Sequence, residues 1–508
     1  MDHKLIRAIG SVTCVMLLVK VLAMIKNILQ ARVYGAGVDA DVFTLASSYS
    51  ISLFTTMSYA LCIAAIPILT QKLLSGKETC YQTANVLIAN TMVLSLGATG
   101  VLFFAGAVGI IDPLLGIESN IPLFRFCFLV MVLSLPIITL TYLLLALFQT
   151  MGHFTLQGRL SLLYNLALCA VLLLAQDRLS LRGFAVVTSV GWLLQLAMVL
   201  PSMRQEAYRF RPKLAFRQGG YGSFLRTSVM TMYVSSLFLL CYLVNTRFAT
   251  AGVEGTVTGF FYAERLYEPL STALIYSAGI VLFPNFSQKY AEMEEPAYRE
   301  YVIRILKNTL LVMLPVSLLF GAFGTPVIRV LFEGGDFNTH NALLSGGVFS
   351  MYTLGLAGFL ILDLLSKAYF AMGRPLPPIG MATAVLGICV GSNALFAHFM
   401  PAWPQLLAFG TSVGFLLVGG VAYFQFARKG GLTLPRKPLF RCCGFSLGIG
   451  GLAWAVYHLQ VASMDSKGWM VVVCSAVGVG CLLLYVLLMG RWLPTRNVLR
   501  KLWRRNRT

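Results

Sequence analysis

Leu17 to Asp41 reads LLVKVLAMIKNILQARVYGAGVDAD, which sets Lys20, Lys26, Asn27 and Gln30 inside an apolar helix that begins near Leu5. At about 100° per residue, with Lys20 as zero, Asn27 falls near −20°, Gln30 near −80° and Lys26 near −120°. The polar groups share one third of the circumference, and that third is expected to line something wet. Snorkelling, in which a long side chain carries its ammonium to the interface, suits Lys26 and Arg32. It suits Lys20 poorly, because about fifteen residues of helix, or ~22 Å, separate it from the start.

The rest of the chain explains why such a helix stands out. Of 508 residues, 58% are hydrophobic and 11% charged, and mean hydropathy is +0.78, against roughly a quarter charged in soluble domains. Apolar runs of ~20 residues, enough to cross a ~30 Å hydrocarbon core, recur from end to end. About fourteen are expected, near 5–33, 41–71, 83–111, 122–150, 155–176, 183–203, 222–248, 257–287, 300–324, 341–372, 378–399, 403–427, 438–459 and 468–490. The first run exceeds a signal-peptide core and carries charges, so it is read as a span.

Net charge is +20, from 39 basic and 19 acidic residues. The placement of the bases argues for membrane topology, not nucleic acid. Arg204, Arg209, Arg211, Lys213 and Arg217 crowd one connection, and Arg491, Arg496, Arg500, Lys501, Arg504, Arg505 and Arg507 crowd the tail. The connection 111–121 holds Asp112 and Glu118 without Lys or Arg, and 401–404 has no charge. The basic sides are read as cytoplasmic, with both termini inside. The tail is an orientation signal or, in a sharper reading, an anchor for anionic membrane lipids.

Eleven cysteines and five histidines are scattered without CxxC pairs or metal-ligand spacing, so no metal site or Cys/His nucleophile is expected. No GxxxxGK[ST] nucleotide loop occurs, and no cofactor is expected.

Repetition is more telling. Ala31–Val42, ARVYGAGVDADV, aligns without gaps on Thr246–Val257, TRFATAGVEGTV, at an offset of 215 residues, pairing Asp39 with Glu254. Phe148–Gly152, FQTMG, echoes Tyr369–Gly373, YFAMG. These matches suggest two pseudo-symmetric six-helix lobes, 1–217 and 218–432, pointing the same way, with 433–490 as two further spans and 491–508 as a basic cytoplasmic tail. Gly35, Gly37, Gly252 and Pro269 are the candidate hinges.

Substrates of two-lobed transporters lie between the lobes, marked by intramembrane charges. The second lobe's answer to Lys20 and Lys26 is the run GFFYAERLYEPLS from Gly259 to Ser271, with Glu264, Arg265, Glu268 and then Pro269. Arg265 has two readings: a guanidinium neutralised by Glu264 and Glu268, or a planar fork for phosphate or carboxylate. The insertion cost of a charge in a span, ~2.5–3.5 kcal/mol, favours function. Asp41 either pairs with a cation or the substrate or stabilises the start of span 2.

YAERLYEPL and LFPNFS, RVYGAGVDADVF, and above all VIRVLFEGGDFNTH…LLSKAYFAMGRPLPP between Val327 and Pro378 resemble the MurJ/MviN family of lipid II flippases in the multidrug/oligosaccharidyl-lipid/polysaccharide exporter superfamily. The likeness covers nearly the whole chain. It implies a V-shaped pair of lobes that moves undecaprenyl-diphosphate-linked peptidoglycan precursor between leaflets of the bacterial cytoplasmic membrane by alternating access, and it implies a role in cell-wall biogenesis and cell shape. By position, Lys20, Lys26 and Arg265 would hold the diphosphate, Asp41 would match a family aspartate, and spans 13 and 14 would form a lipid-tail groove.

The chain departs from the family in places. Arg is usual where Lys20 and Lys26 stand, and the stretch Leu53–Tyr59 has no charge where span 2 normally carries several. Relatives that bind sodium imply Asn245, Cys389 and Asn393 as its counterparts here, a poor set for a hard cation. Membrane potential is the alternative drive, at ~2.3 kcal/mol per charge per 100 mV. The expected partners are the polyprenyl-diphosphate lipid, membrane lipids and other cell-wall synthesis proteins. Competing readings are export of another polyprenyl-diphosphate glycan, a drug/cation antiporter, whose cavity should be acidic, and an intramembrane glycosyltransferase, for which the loops hold only isolated acids.

Overall fold

The computed structural model describes residues 3–153, 155–175, 178–216, 221–252, 254–271, 274–275, 282, 286, 289–290, 292–431, 436–456 and 466–489. Most of 272–287, with the LFPNFS run, and the basic tail 491–508 lie outside the described residues. The described chain is helical, as long apolar runs require where no water can satisfy the backbone. Among these residues the one β-type contact is the isolated bridge between Gly334 and Phe337.

Packing divides the chain into two compact units, Met1–Thr258 with Gly334–Phe337, and Gly259–Glu333 with Asn338–Thr508. The first unit holds α1 (His3–Tyr34), α2 (Val38–Ser47), a π-helical turn (Ser48–Ser52), α3 (Leu53–Leu74), α4 (Lys77–Val108) and the short α5 (Ile111–Leu115). It continues with α6 (Ile121–Val132), α7 (Leu135–Thr150), α8 (Leu156–Ala175), α9 (Leu181–Gln205), α10 (Tyr221–Ser235) and α11 (Leu237–Ala249), and α12 (Thr256–Ser271) begins in it. α1 packs on α8, and α3 packs on α4, α7 and α10. The core there joins Leu143–Phe148 of α7 to Cys62, Ala65 and Leu69 of α3, Leu87 and Ile88 of α4, and Phe224 of α10.

The second unit contains α13 (Glu295–Phe332), α14 (Thr339–Leu354), α15 (Leu356–Ala371), α16 (Leu376–Phe399), α17 (Gln405–Lys429), α18 (Arg436–Val456) and α19 (Lys467–Met489). α13 is 38 residues long and runs through Pro315 and Pro326. It packs on α14, α18 and α19. α15 crosses α17 so closely that a Cβ on Gly358 would stand 2.4 Å from the Phe415 carbonyl oxygen. Small residues let helix backbones touch in this way inside a membrane, where apolar burial alone does not drive association.

Nine helices among the described residues are long and apolar enough to cross a membrane, or eleven if two bent pairs each count as one span. The bent pairs are α10 with α11, at 60°, and α14 with α15, at 46°. The other three of the fourteen expected spans correspond to α1, to α12, described only to Ser271, and to α18, whose apolar part runs over Gly444–Val456. Fourteen therefore stays an expectation, while the all-helical membrane architecture stands.

Candidate functional site

The polar stripe of α1 is narrower than its helical angles imply. Lys20 and Lys26 are half-buried, whereas Asn27 and Gln30 are each only 5% exposed. α1 packs on α8, where the Cys169 thiol lies 3.8 Å from the Leu22 carbonyl oxygen. Asn27 and Gln30 are thus enclosed by protein, while the two lysines keep partial exposure. The Asn27 Oδ1 has no hydrogen-bond partner among the described residues.

Next comes the turn that ends α1. Gly35 takes φ +59°, a left-handed value that suits glycine, and a Cβ there would meet the Asp336 carbonyl oxygen at 2.7 Å. Gly37 is extended and caps α2. The neighbouring loop 334–337 is tied down by the Asp336 N–H, which donates to the Arg32 carbonyl at 3.2 Å.

The two halves of the 215-residue repeat meet at this turn. Glu254 Oε1 accepts the Val38 N–H at 3.1 Å, capping the start of α2. In return Asp41 accepts the Gly255 N–H at 2.9 Å and the Thr258 N–H at 2.7 Å, capping the start of α12. The first amides of a helix lack intrahelical partners and carry the positive end of its dipole, so a carboxylate there satisfies both. Asp41 therefore serves the start of α12 as well as lying in the first turn of α2, while Asn120 donates to Asp39 at 2.6 Å. The candidate hinge Gly252 is exposed, and the closer contact belongs to Gly255, at φ +82° and with a Cβ position 2.8 Å from the Ala36 carbonyl oxygen. Gly255 and Glu254 are the residues here that sequence reading did not single out as functional. Their signal was the alignment itself.

In α12, Arg265 and Glu264 form an ion pair at 3.4 Å, with side chains 27% and 10% exposed. The guanidinium carbon lies 4.7 Å from the centre of the Phe261 ring, so the partly open cation is steadied by an aromatic face one turn back. The helix continues through Glu268 and Pro269 to Ser271. A further intramembrane ion pair, unmarked in the sequence reading, joins Lys367 to Asp363 one turn apart on α15.

The residues matched to a sodium site do not fit a hard cation. In the second unit Cys389 lies 3.4 Å from the Thr411 hydroxyl, and Asn393 donates to the Cys389 sulfur at 3.9 Å. Asn245, in the first unit, is fully buried. A thiol, a hydroxyl and neutral amides supply no carboxylate, whereas sodium prefers hard oxygen ligands.

Long apolar helices and broken spans define a polytopic membrane protein. A sequence profile described as "Lipid II flippase MurJ" matches residues 30–502. The chain belongs to the lipid II flippase MurJ family. It is 25% identical over 481 residues to a protein named "Lipid II flippase MurJ" from Burkholderia cenocepacia, covering 91% of this chain and 92% of that one. It is 24% identical over 447 residues to a "Probable lipid II flippase MurJ" from Vibrio cholerae, covering 84% of each. A solved structure titled as lipid II flippase MurJ in an inward closed conformation superposes with a TM-score of 0.77 at 19% identity, covering 96% of this chain and 99% of that one. An inward-facing multidrug-resistance MATE family transporter shares the fold with a TM-score of 0.64 at 12% identity, covering 81% of this chain and 94% of its own.

Proposed function

We propose that this chain translocates lipid II across the bacterial cytoplasmic membrane by alternating access, leaving the molecule chemically unchanged. The observation that carries the reading is that Lys20, Lys26 and Arg265 stand in helices of a chain whose family match covers residues 30–502. A diphosphate leaving water for a membrane cavity needs cations to offset its lost hydration, and cations held within spans at a cost of a few kcal/mol each supply them. In this reading the lysines and Arg265 serve the diphosphate, spans 13 and 14 take the lipid tail, both termini are cytoplasmic, and membrane potential acting on the charges provides the drive.

Complementation of a strain depleted of its lipid II flippase tests the reading. Growth restored by this chain supports it, and failure despite normal membrane expression overturns it. A second reading, export of another polyprenyl-diphosphate-linked glycan, draws on the uncharged stretch Leu53–Tyr59 at the start of α3. A transport assay with O-unit or exopolysaccharide lipids in place of lipid II distinguishes the two.

A further inference from the structure

The connection between α9 and α10 is not a loose loop. The chain leaves α9 at Glu206, whose Oε2 lies 3.2 Å from Lys77 Nζ and whose Oε1 lies 2.8 Å from His153 Nε2. The Tyr81 hydroxyl donates to the Glu206 carbonyl at 2.7 Å. Ala207 then turns the chain with φ +51°, and residues 208–215 follow with no regular secondary structure.

Two asparagines of α4 hold this strap by its backbone. Asn85 Oδ1 accepts the Arg211 N–H at 3.2 Å and the Tyr208 hydroxyl at 2.7 Å, and Asn90 Oδ1 accepts the Ala215 N–H at 3.0 Å. Both asparagines are buried. Lys77, Tyr81, Asn85 and Asn90 thus form a ladder down one side of α4, spaced by four or five residues as helical geometry requires. Pro212 has no N–H to satisfy.

The depth of the strap follows from helix length. α4 has 32 residues, about 48 Å at 1.5 Å per residue, which is some 18 Å more than a ~30 Å hydrocarbon core. Its exposed apolar side chains begin at Val93 and run to Val108, so the surplus lies at the Lys77 end. Asn90, the lowest rung of the ladder, sits just before Val93. The strap therefore covers the length of α4 that crosses the headgroup layer.

Its own composition matches that layer. Arg209, Arg211 and Lys213 are exposed, with no acid between 207 and 216, and they alternate in sequence with Phe210, 39% exposed, Leu214, 62%, and Phe216, 45%. Basic heads beside aromatic and aliphatic groups are the pattern of segments that lie in a membrane interface.

We propose that residues 209–216 form a docking strip for anionic phospholipids of the leaflet at the Lys77 end of α4, with Arg209, Arg211 and Lys213 on the head groups and Phe210, Leu214 and Phe216 at the acyl boundary. The ladder from α4 pre-orders the backbone, so binding a lipid costs little chain entropy. The strip concerns resident lipids and stands whether the cargo is lipid II or another glycan lipid.

The test is native mass spectrometry of the purified full chain released from bilayers of mixed phosphatidylglycerol and phosphatidylcholine. Each basic residue near an anionic surface is worth roughly fivefold in affinity. The exposed triple variant Arg209→Gln/Arg211→Gln/Lys213→Gln should then lose up to about a hundredfold of the wild-type preference for retained phosphatidylglycerol. The double variant Arg178→Gln/Arg182→Gln, which removes exposed bases at the far end of α9, should retain it. In a second measurement, the indole of Phe210→Trp should be quenched by lipids brominated near the head group. An unchanged preference in the triple variant, an equal loss in the double variant, or an unquenched indole overturns the proposal. So does loss of polyprenyl-diphosphate binding with phosphatidylglycerol preference intact, which would assign the strip to the cargo.

Discussion

Asp41 accepts the backbone N–H of Thr258 at 2.7 Å, from 217 residues away in the chain, and its other oxygen takes the Gly255 N–H. Asp41→Asn keeps the shape but loses the charge and turns one acceptor into a donor facing an N–H. Hydrogen bonds to a charged group are worth about 1.5–3 kcal/mol, so the melting temperature of the purified chain should fall by several degrees. Glu254→Gln should cost less, since it touches one amide. Because both acids close the same junction, the double variant should differ from the sum of the singles, and strict additivity would show that the caps act independently.

Gly255 offers a cleaner steric test. With φ +82° and a Cβ site 2.8 Å from backbone, Gly255→Ala should destabilise by about 1–3 kcal/mol. Gly152 is also left-handed, at φ +95°, but open around its Cβ site. Gly152→Ala should therefore cost clearly less in the same thermal melt.

For transport, Lys20→Ala and Arg265→Ala should each abolish complementation at normal expression, while Lys20→Arg should preserve it, since the charge is kept. Asn27→Ala should be mild by comparison, because its side chain is buried in the first unit and away from the open side of α1. A colony count on depletion plates reads all four, and strong growth of both alanine variants at the cations would remove them from the transport path.

Acid should loosen the top of the strap. The hydrogen bonds from His153 and then Lys77 hold the Glu206 carboxyl below its ordinary range. A depressed folded value means the contribution is fully present above the unfolded value of roughly 4.3, and is lost as pH falls from there through the folded value. Glu206→Gln should flatten that acid limb of the melting curve and leave stability near neutral pH changed little with pH. A limb of unaltered slope in the variant would assign the acid sensitivity to other carboxylates.

Replacing sodium by potassium should leave transport unchanged, because Asn245, Cys389 and Asn393 bring no carboxylate. Collapsing the membrane potential should slow it. A sodium requirement in reconstituted vesicles would refute the reading of those donors.

The sequence made the helices legible because apolar runs of membrane length admit little else, and it exposed the repeat because ARVYGAGVDADV and TRFATAGVEGTV align without gaps. It could not show that the two turns touch, since likeness between segments carries no distance. Helical angles put Asn27 and Gln30 beside Lys20, but only packing reveals that both are buried. The Asp363–Lys367 pair is four residues apart on α15, a spacing that in sequence alone looks the same for a solvated helix pair and a buried one. Asn85 and Asn90 gave no signal at all, since their partners lie more than 120 residues away.

The junction of the two turns has one more implication. Each copy of the repeat supplies a carboxylate to the helix start of the other, so the two starts can separate only together, with three backbone amides losing their acceptors at once.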